Sequence, residues 1–403
     1  MKLIQLFFLL LLIFFPFGEL LRWDLAHNIT IKPLDTTAGV ITLFYLYDAI
    51  VNKKKIPGFS LKVALFGLLG LFSLSLNSYW LDLSQLTASS LYLIRWVSYG
   101  GVLVAFYSFD SEFKKTVVRI LLLDGYIIVF LGFVQYIFFQ NLKPLINLGW
   151  DDHLYRIFSV FLDPNFAGAF YSLFIIFLFG LLRETHRQHR NNTVDLYLIS
   201  GTVVSIIALL FTFSRSGILM FVTSSIVFFL LIHKLKYLVY VIFGVVLFMV
   251  VISPWYSIEN MNPFRTASVN ARLSNYSTAI GVIKENILFG VGFNAYRYAQ
   301  EKKGIELGKE GVPYHSGAGV DNSYLFVLAT TGLVGFAGYI FFWVALLRKA
   351  YTRYTADQSM YAIVFLASTA GVAVNAFFVN SLFFPSLMLW MWILFGLTTI
   401  KEE

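Results

Sequence analysis

Apolar residues run along this chain in long blocks, divided by short polar breaks, from Leu3 to Ile400. Crossing the hydrocarbon core of a bilayer as an α-helix takes about 17–25 mostly apolar residues, and the blocks are close to that size. They predict twelve spans, at 3–17, 33–51, 61–76, 84–109, 116–140, 160–182, 194–213, 216–232, 237–253, 322–347, 359–379 and 382–400. The last two are joined tightly enough to form a helical hairpin, with Pro385 in the first turn of its second helix, where a backbone N–H has no intrahelical partner to lose.

The breaks carry an ordered charge pattern. Alternate loops hold Lys53, Lys54 and Lys55, then Lys114, Lys115 and Arg119, then Arg183, Arg187 and Arg190, then Lys234 and Lys236, then Arg348, Lys349 and Arg353. Lys2 and Lys401 fall on the same side. Short loops rich in Lys and Arg stay in the cytoplasm, so both termini are expected there. The opposite face then holds residues 22–32, 77–82, 141–159 and the longest break, 254–321. Residues 1–253 thus carry nine spans, 254–321 form one large outer loop, and 322–403 carry three more spans. A loop of that length is usually functional or disordered. The periodic apolar segment 273–289 predicts a helix within it, suited to lie on the membrane surface. The expected fold is an all-α integral membrane protein with about twelve transmembrane helices and a partly helical outer loop between spans 9 and 10. Residues 1–17 have the form of a signal peptide, but Pro16-Phe17-Gly18-Glu19-Leu20 lacks a small-x-small cleavage site, so they read as a retained first span. No internal repeat is evident, which counts against the repeat architecture of many transporters.

Composition agrees with this pattern. Of 403 residues, 58% are hydrophobic and 13% charged, against about 25% charged in a soluble domain. Too few charges remain to cover a water-exposed surface. The net charge of +8 resides largely in the cytoplasmic loops, so nucleic acid is not an expected partner. The absence of cysteine excludes a disulfide framework and a thiolate metal site. Aromatic residues make up 18%. Trp150, Trp255, Tyr256 and Tyr296 near the outer face read first as an interfacial belt and second as stacking surfaces for sugars.

Ionisable groups at membrane depth are costly, and each is a functional hypothesis. Arg95 sits within the fourth span, and Arg156 precedes the sixth beside Asp163-Pro164-Asn165. Arg215 lies in Phe213-Ser214-Arg215-Ser216-Gly217, at the outer junction of the seventh and eighth spans. A guanidinium there offers a planar fork of donors to phosphate or carboxylate; the alternative is an arginine that snorkels to lipid phosphate. The outer loop adds Arg272 in 270–276, the run Gly290-Val291-Gly292, and His315. Asp321-Asn322-Ser323 and Thr331-Gly332 follow. The glycine pairs read equally well as turns, and Asp321 or Asn322 as the cap of the tenth span. On the outer side Asp151-Asp152-His153 is the nearest approach to metal-ligand spacing, so neither metal nor cofactor is expected.

The order of these segments resembles the O-antigen ligase and polymerase superfamily of bacterial membrane glycosyltransferases. The resemblance covers 156–335 and rests on Arg156, Phe161 and Asp163–Gly168, on Ser214–Gly217, on Arg272 with Gly290–Gly292, and on Asn322–Gly335. It implies an undecaprenyl-diphosphate-linked glycan donor, transferred or polymerised at the outer face of the cytoplasmic membrane. The acceptor hydroxyl would belong to a glycan, a lipid A–core or another molecule, with membrane lipid as a further contact. It also implies that Arg215 and Arg272 bind the diphosphate, with Arg156 as a third candidate. Where the family carries a histidine near the acceptor hydroxyl, this chain has Asp321. A carboxylate can also take a proton, and His315 upstream is the other candidate base. The departure fits a polymerase or another transferase of the superfamily better than a strict lipid A–core ligase. Direct displacement would invert the anomeric centre. Two other readings stay open: a transporter or flippase for a lipid-linked or anionic solute, and an oligosaccharyltransferase acting on protein hydroxyls.

Overall fold

The computed structural model describes residues 1–24, 29–187, 192–255, 262, 266–305 and 319–400. His315 and Tyr256 lie outside the described residues, as does the side chain of Trp255.

Among the described residues, seven helical segments are long and apolar enough to cross a membrane. Lys2–Leu20 comprises α1 (Lys2–Phe14) and a 3-10 turn. The others are α2 (Pro33–Val51), α4 (Leu83–Tyr107), α5 (Ser111–Phe138), α6 (Pro164–Arg187), α7 (Asn192–Phe211) and α12 (Ser323–Asp357). Shorter apolar helices, α3 (Ser60–Leu76), α8 (Arg215–Leu231), α9 (Leu238–Val251), α13 (Met360–Asn375) and α14 (Pro385–Leu397), fall at the remaining apolar blocks of the sequence. Between α9 and α12 stand α10 (Ala267–Glu285), which overlaps the periodic segment 273–289, and the short α11 (Tyr296–Lys302). Residues Trp23–Asp24 and Thr30–Ile31 pair as a two-residue antiparallel ladder between α1 and α2.

Capping residues set where the helices start. Asp82 accepts from the Gln85 N–H ahead of α4, Asp110 from the Phe113 N–H ahead of α5, and Ser214 from the Gly217 N–H ahead of α8. Each satisfies one N–H that the helix cannot pair internally. Pro33 and Pro385 open α2 and α14. The bundle is not uniform. Every residue of α14 is buried and α6 is largely enclosed, whereas α9 buries none of its residues and packs mainly on α8. In water a face such as that of α9 would be destabilising; in lipid it is an ordinary outer surface.

One feature of the packing shapes the region that follows. Helix α12 breaks at Gly332, whose φ of 65° and ψ of −169° interrupt the i→i−4 ladder. The freed backbone groups find partners in the segment after α10. Ala329 O accepts from Val291 N at 2.9 Å, and Thr330 O from Gly292 N at 3.1 Å. Leu333 N donates to Ile287 O at 2.8 Å, and Val334 N to Leu288 O at 3.2 Å. Ser73 Oγ of α3 lies 2.6 Å from Phe289 O and 2.8 Å from Thr330 O, within donor range of both, and Asn77 Nδ2 donates to Gly290 O at 3.1 Å. An apolar surround demands such pairing, since an unpaired backbone group there costs several kcal/mol. The two glycine motifs are therefore halves of one interlock: a Cβ on Gly290 would fall 2.4 Å from Thr330 C, and one on Gly332 would fall 2.3 Å from Leu288 O. The interlock ties α10 to α12.

Candidate functional site

A cavity of about 730 Å³ opens where α2, α6, α12 and α14 begin. Residues at or next to those four starts line it: Lys32, Asp163, Asp321 and Phe384. Helix N-termini carry partial positive charge, so the fold itself aims a field favourable to anions into this space.

One wall comes from α10 and the start of α12, and it brings Arg272 and Asp321 together. The cap of α12 is Asn322, whose Oδ1 accepts from Tyr324 N at 2.9 Å and Leu325 N at 3.0 Å. Asp321 is thus released from the capping role that the sequence left open to it. Its backbone is held from α10: Asp321 N donates to Asn275 Oδ1 at 3.0 Å, Asn275 Nδ2 donates to Gly319 O at 2.9 Å, and the Tyr276 hydroxyl lies 3.2 Å from Asp321 O. Burial raises the Asp321 carboxyl to about 6; the Arg272 guanidinium pulls it down, while Asp163 and Asp151 add to the rise. A carboxyl poised there is suited to proton transfer near neutral pH. Asn294, Tyr296 and Arg297 continue this wall.

The same cavity is also lined by Glu19, Arg22 and Lys32, by Tyr92 and Arg95 of α4, and by Trp150. Arg22 and Lys32 flank Glu19, Arg95 pairs with Asp35 at 2.7 Å, and Trp150 and Tyr92 present rings. Phe166 and Phe384, also in the lining, stack at 3.9 Å.

The remaining arginines singled out in the sequence sit beside the cavity rather than in it. Arg156 is buried; its Nε donates to Thr212 O at 2.8 Å, and its Nη2 lies 3.4 Å from Phe213 O. It clasps the turn between α7 and α8. Arg215 lines a separate notch with Phe213, Ile218, Phe248, Met249 and Ile252, against α9. That turn nevertheless abuts the cavity, because Ser214 Oγ donates to Asn165 Oδ1 at 3.1 Å and Asn165 is a cavity residue. Asp163 caps α6 just beyond, accepting from Asn165 N at 2.6 Å. Arg272 and Asp321 therefore share one wall, Arg215 adjoins through Ser214, and Arg156 supports that junction. The cavity cations Arg22, Lys32 and Arg297 escaped sequence reasoning as site residues. The available signal was their position in breaks expected on the outer side, where Lys and Arg are scarce.

Residues 200–340 match a family model described as O-antigen ligase. The match takes in most of α7, all of α8 to α11, and α12 past its break. Arg215, Arg272, His315 and Asp321 fall inside it, whereas Arg156 and the lining residues Arg22, Lys32 and Arg95 fall outside. A comparison with curated proteins finds no match.

Proposed function

We propose that this chain, which carries an O-antigen ligase domain, is a bacterial membrane glycosyltransferase that moves or polymerises a glycan from undecaprenyl diphosphate onto an acceptor hydroxyl. In this reading the apolar helices make twelve spans with both termini in the cytoplasm, and the cavity opens on the outer face. Asp321 takes the proton from the acceptor hydroxyl as its oxygen attacks the anomeric carbon, with inversion. The leaving diphosphate gathers negative charge, which guanidinium groups stabilise without reorganising. Arg272 does this from within the cavity. Arg215 acts from the notch beside α9, where the polyprenyl chain can stay in lipid, and Arg156 braces the turn that carries it. His315 remains the alternative base. The observation that carries the proposal is the shared wall of Arg272 and Asp321, inside the segment matched to O-antigen ligases.

The test is transfer by the purified protein, reconstituted with a polyprenyl-diphosphate glycan and an acceptor. Arg272→Ala is expected to lower turnover about a hundredfold or more, in line with the loss of a transition-state donor, while the protein still inserts and accumulates. Arg272→Lys should restore less than charge alone predicts, because the bidentate fork is gone. Normal product from Arg272→Ala would sink the assignment. A second reading has one observation in its favour: broken helices backed by irregular chain, as at Gly332, also build transporter sites. Movement of the lipid-linked glycan across the bilayer with no bond change would select it.

A further inference from the structure

Two uncharged side chains in the cavity lining, Tyr296 and Asn380, carry polar atoms that the fold leaves unsatisfied. Tyr296 is 1% exposed, and its hydroxyl has no hydrogen-bond partner among the described residues. The Oδ1 of Asn380 is likewise buried without one. Buried polar groups are nearly always paired, and leaving one unpaired costs stability. Burial also pushes the Tyr296 hydroxyl well above its ordinary titration range, so it keeps its proton and remains a donor. Both residues sit on backbone that is firmly held. Tyr296 opens α11 directly after the interlock: Gly292 N is bonded to Thr330 O, and Ala295 N donates to Gly292 O at 2.9 Å. Asn380 lies in the turn from α13 to α14, which is tied to the start of α12. Ser323 N donates to Ala376 O at 2.8 Å, and Leu382 N to Ser323 Oγ at 3.2 Å. The lining also holds Phe326 and Phe383, whose ring centres lie 5.0 Å apart.

We infer that Tyr296 and Asn380 read hydroxyl groups of a saccharide in the cavity, Tyr296 by donating through its phenol and Asn380 by accepting at Oδ1. The inference rests on the proposed transfer reaction, which brings a glycan donor and a glycan acceptor to Asp321. A sugar hydroxyl both donates and accepts, so it complements either residue. An ionised phosphate or carboxylate has no proton to give Asn380 Oδ1, so this pair suits hydroxyls rather than charge. Phe326 and Phe383 add apolar surface for the C–H faces of a sugar ring, and many apolar groups with a few placed polar ones make the usual ligand pocket. Both residues hang on backbone bonded to α12, the helix that begins just after Asp321. The hydroxyls they hold are therefore set relative to that carboxyl. Selectivity follows, because a sugar lacking the matching hydroxyl leaves a buried polar group unpaired. Tyr296 lies inside the segment matched to O-antigen ligases, and Asn380 outside it.

The experiment uses the full chain in proteoliposomes, with the lipid-linked glycan extracted from the source cells as donor and its released glycan as acceptor. Tyr296→Phe removes one oxygen and keeps the ring. It should raise the KM for donor or acceptor about threefold to tenfold, the scale of one neutral hydrogen bond. The KM that moves identifies which glycan the hydroxyl holds. The thermal midpoint of Tyr296→Phe should equal or exceed that of the wild type, because no protein contact is lost; a structural hydroxyl would lower it. Methyl glycosides of the constituent sugars and their monodeoxy analogues then serve as competitors. One analogue should inhibit the wild type about tenfold more weakly than its parent, and Tyr296→Phe should not tell the two apart. Asn380→Leu, of similar size, should erase discrimination at a different hydroxyl. Unchanged KM values in Tyr296→Phe overturn the assignment, as does a lowered midpoint or a deoxy series that the variant ranks as the wild type does. If the wild type transfers nothing, the transfer reading itself fails. Thermal stabilisation of the wild type by a parent glycoside, lost in Tyr296→Phe, would then still support hydroxyl recognition, and equal stabilisation of both proteins would end it.

Discussion

Replacing Gly332 by Ala tests whether the interlock between α10 and α12 holds the site together. With φ of 65° and ψ of −169°, Gly332 occupies a region that is essentially closed to other residues, and holding a side chain there costs about 1–3 kcal/mol. The added Cβ would also meet Leu288 C and O at 2.3 Å and Phe289 N at 2.4 Å. These are backbone atoms, so relief requires the 287–292 segment to withdraw. Withdrawal endangers the bonds from Leu333 N to Ile287 O and from Val334 N to Leu288 O, each contributing about 0.5–1.5 kcal/mol. A total of about 2–6 kcal/mol follows, a large share of the about 5–15 kcal/mol that keeps a typical protein folded. The assay is the thermal midpoint of the detergent-solubilised protein by fluorescence-detected size exclusion, alongside its yield in membranes. Gly281→Ala serves as the control. It lies inside α10 with nothing within 4 Å of the added carbon, and should be neutral or stabilising by up to about 1 kcal/mol. Gly332→Ala should melt well below both and lose transfer, because Arg272 and Asp321 ride on the two tied elements. A Gly332→Ala protein that melts with the wild type and keeps its activity would refute the reasoning.

The remaining predictions concern charge. If Asp321 is the base, kcat/KM should rise with pH up to about 6 and level off above it. Asp321→Asn should remove that step and lower kcat by about 10²–10⁴, and a flat wild-type profile through this range would count against the role. Stability should move the other way. The folded carboxyl binds its proton more tightly than the unfolded one, so the fold loses stability as pH rises from the ordinary 3.8 to about 6. The Asn variant should lack that decline in its thermal midpoint. Arg156→Ala should lower the thermal midpoint before it affects donor KM, because it removes the bonds that hold Thr212 O and Phe213 O of the turn. A stable Arg156→Ala protein with a raised donor KM would instead mark Arg156 as a direct ligand of the diphosphate.

The apolar blocks were legible because crossing a bilayer is a one-dimensional demand: length and hydropathy meet it whatever the neighbours do. Helix ends followed where a cap or proline stood in the right place, as at Asp82, Pro33 and Pro385. The helix α10 could be read the same way, from periodicity, whereas Arg272 and Asp321 were candidates on motif order alone. Tertiary structure decided what lies beyond local pattern. Asn322, not Asp321, caps α12, because the competition between two adjacent acceptors is settled by how the chain enters the helix. The Gly290 and Gly332 motifs read as two turns and became one contact, since only folding brings their backbones together. Arg215, Arg272 and Arg156 read alike as candidate ligands for a diphosphate. The packing sends the first to a notch beside α9, the second into the cavity and the third onto backbone carbonyls. Arg22, Lys32 and Arg95 were separate charges in sequence and line one cavity in space, because α2 and α4 run parallel with Asp35 paired to Arg95, so the start of α2 lies beside the first half of α4. Hydropathy and charge order alone mark the chain as membrane-spanning and set most of its cations in the breaks between apolar blocks. Only the packing of helices against one another decided which of those cations face a common space, because side-chain convergence depends on rotation and depth that no single helix specifies.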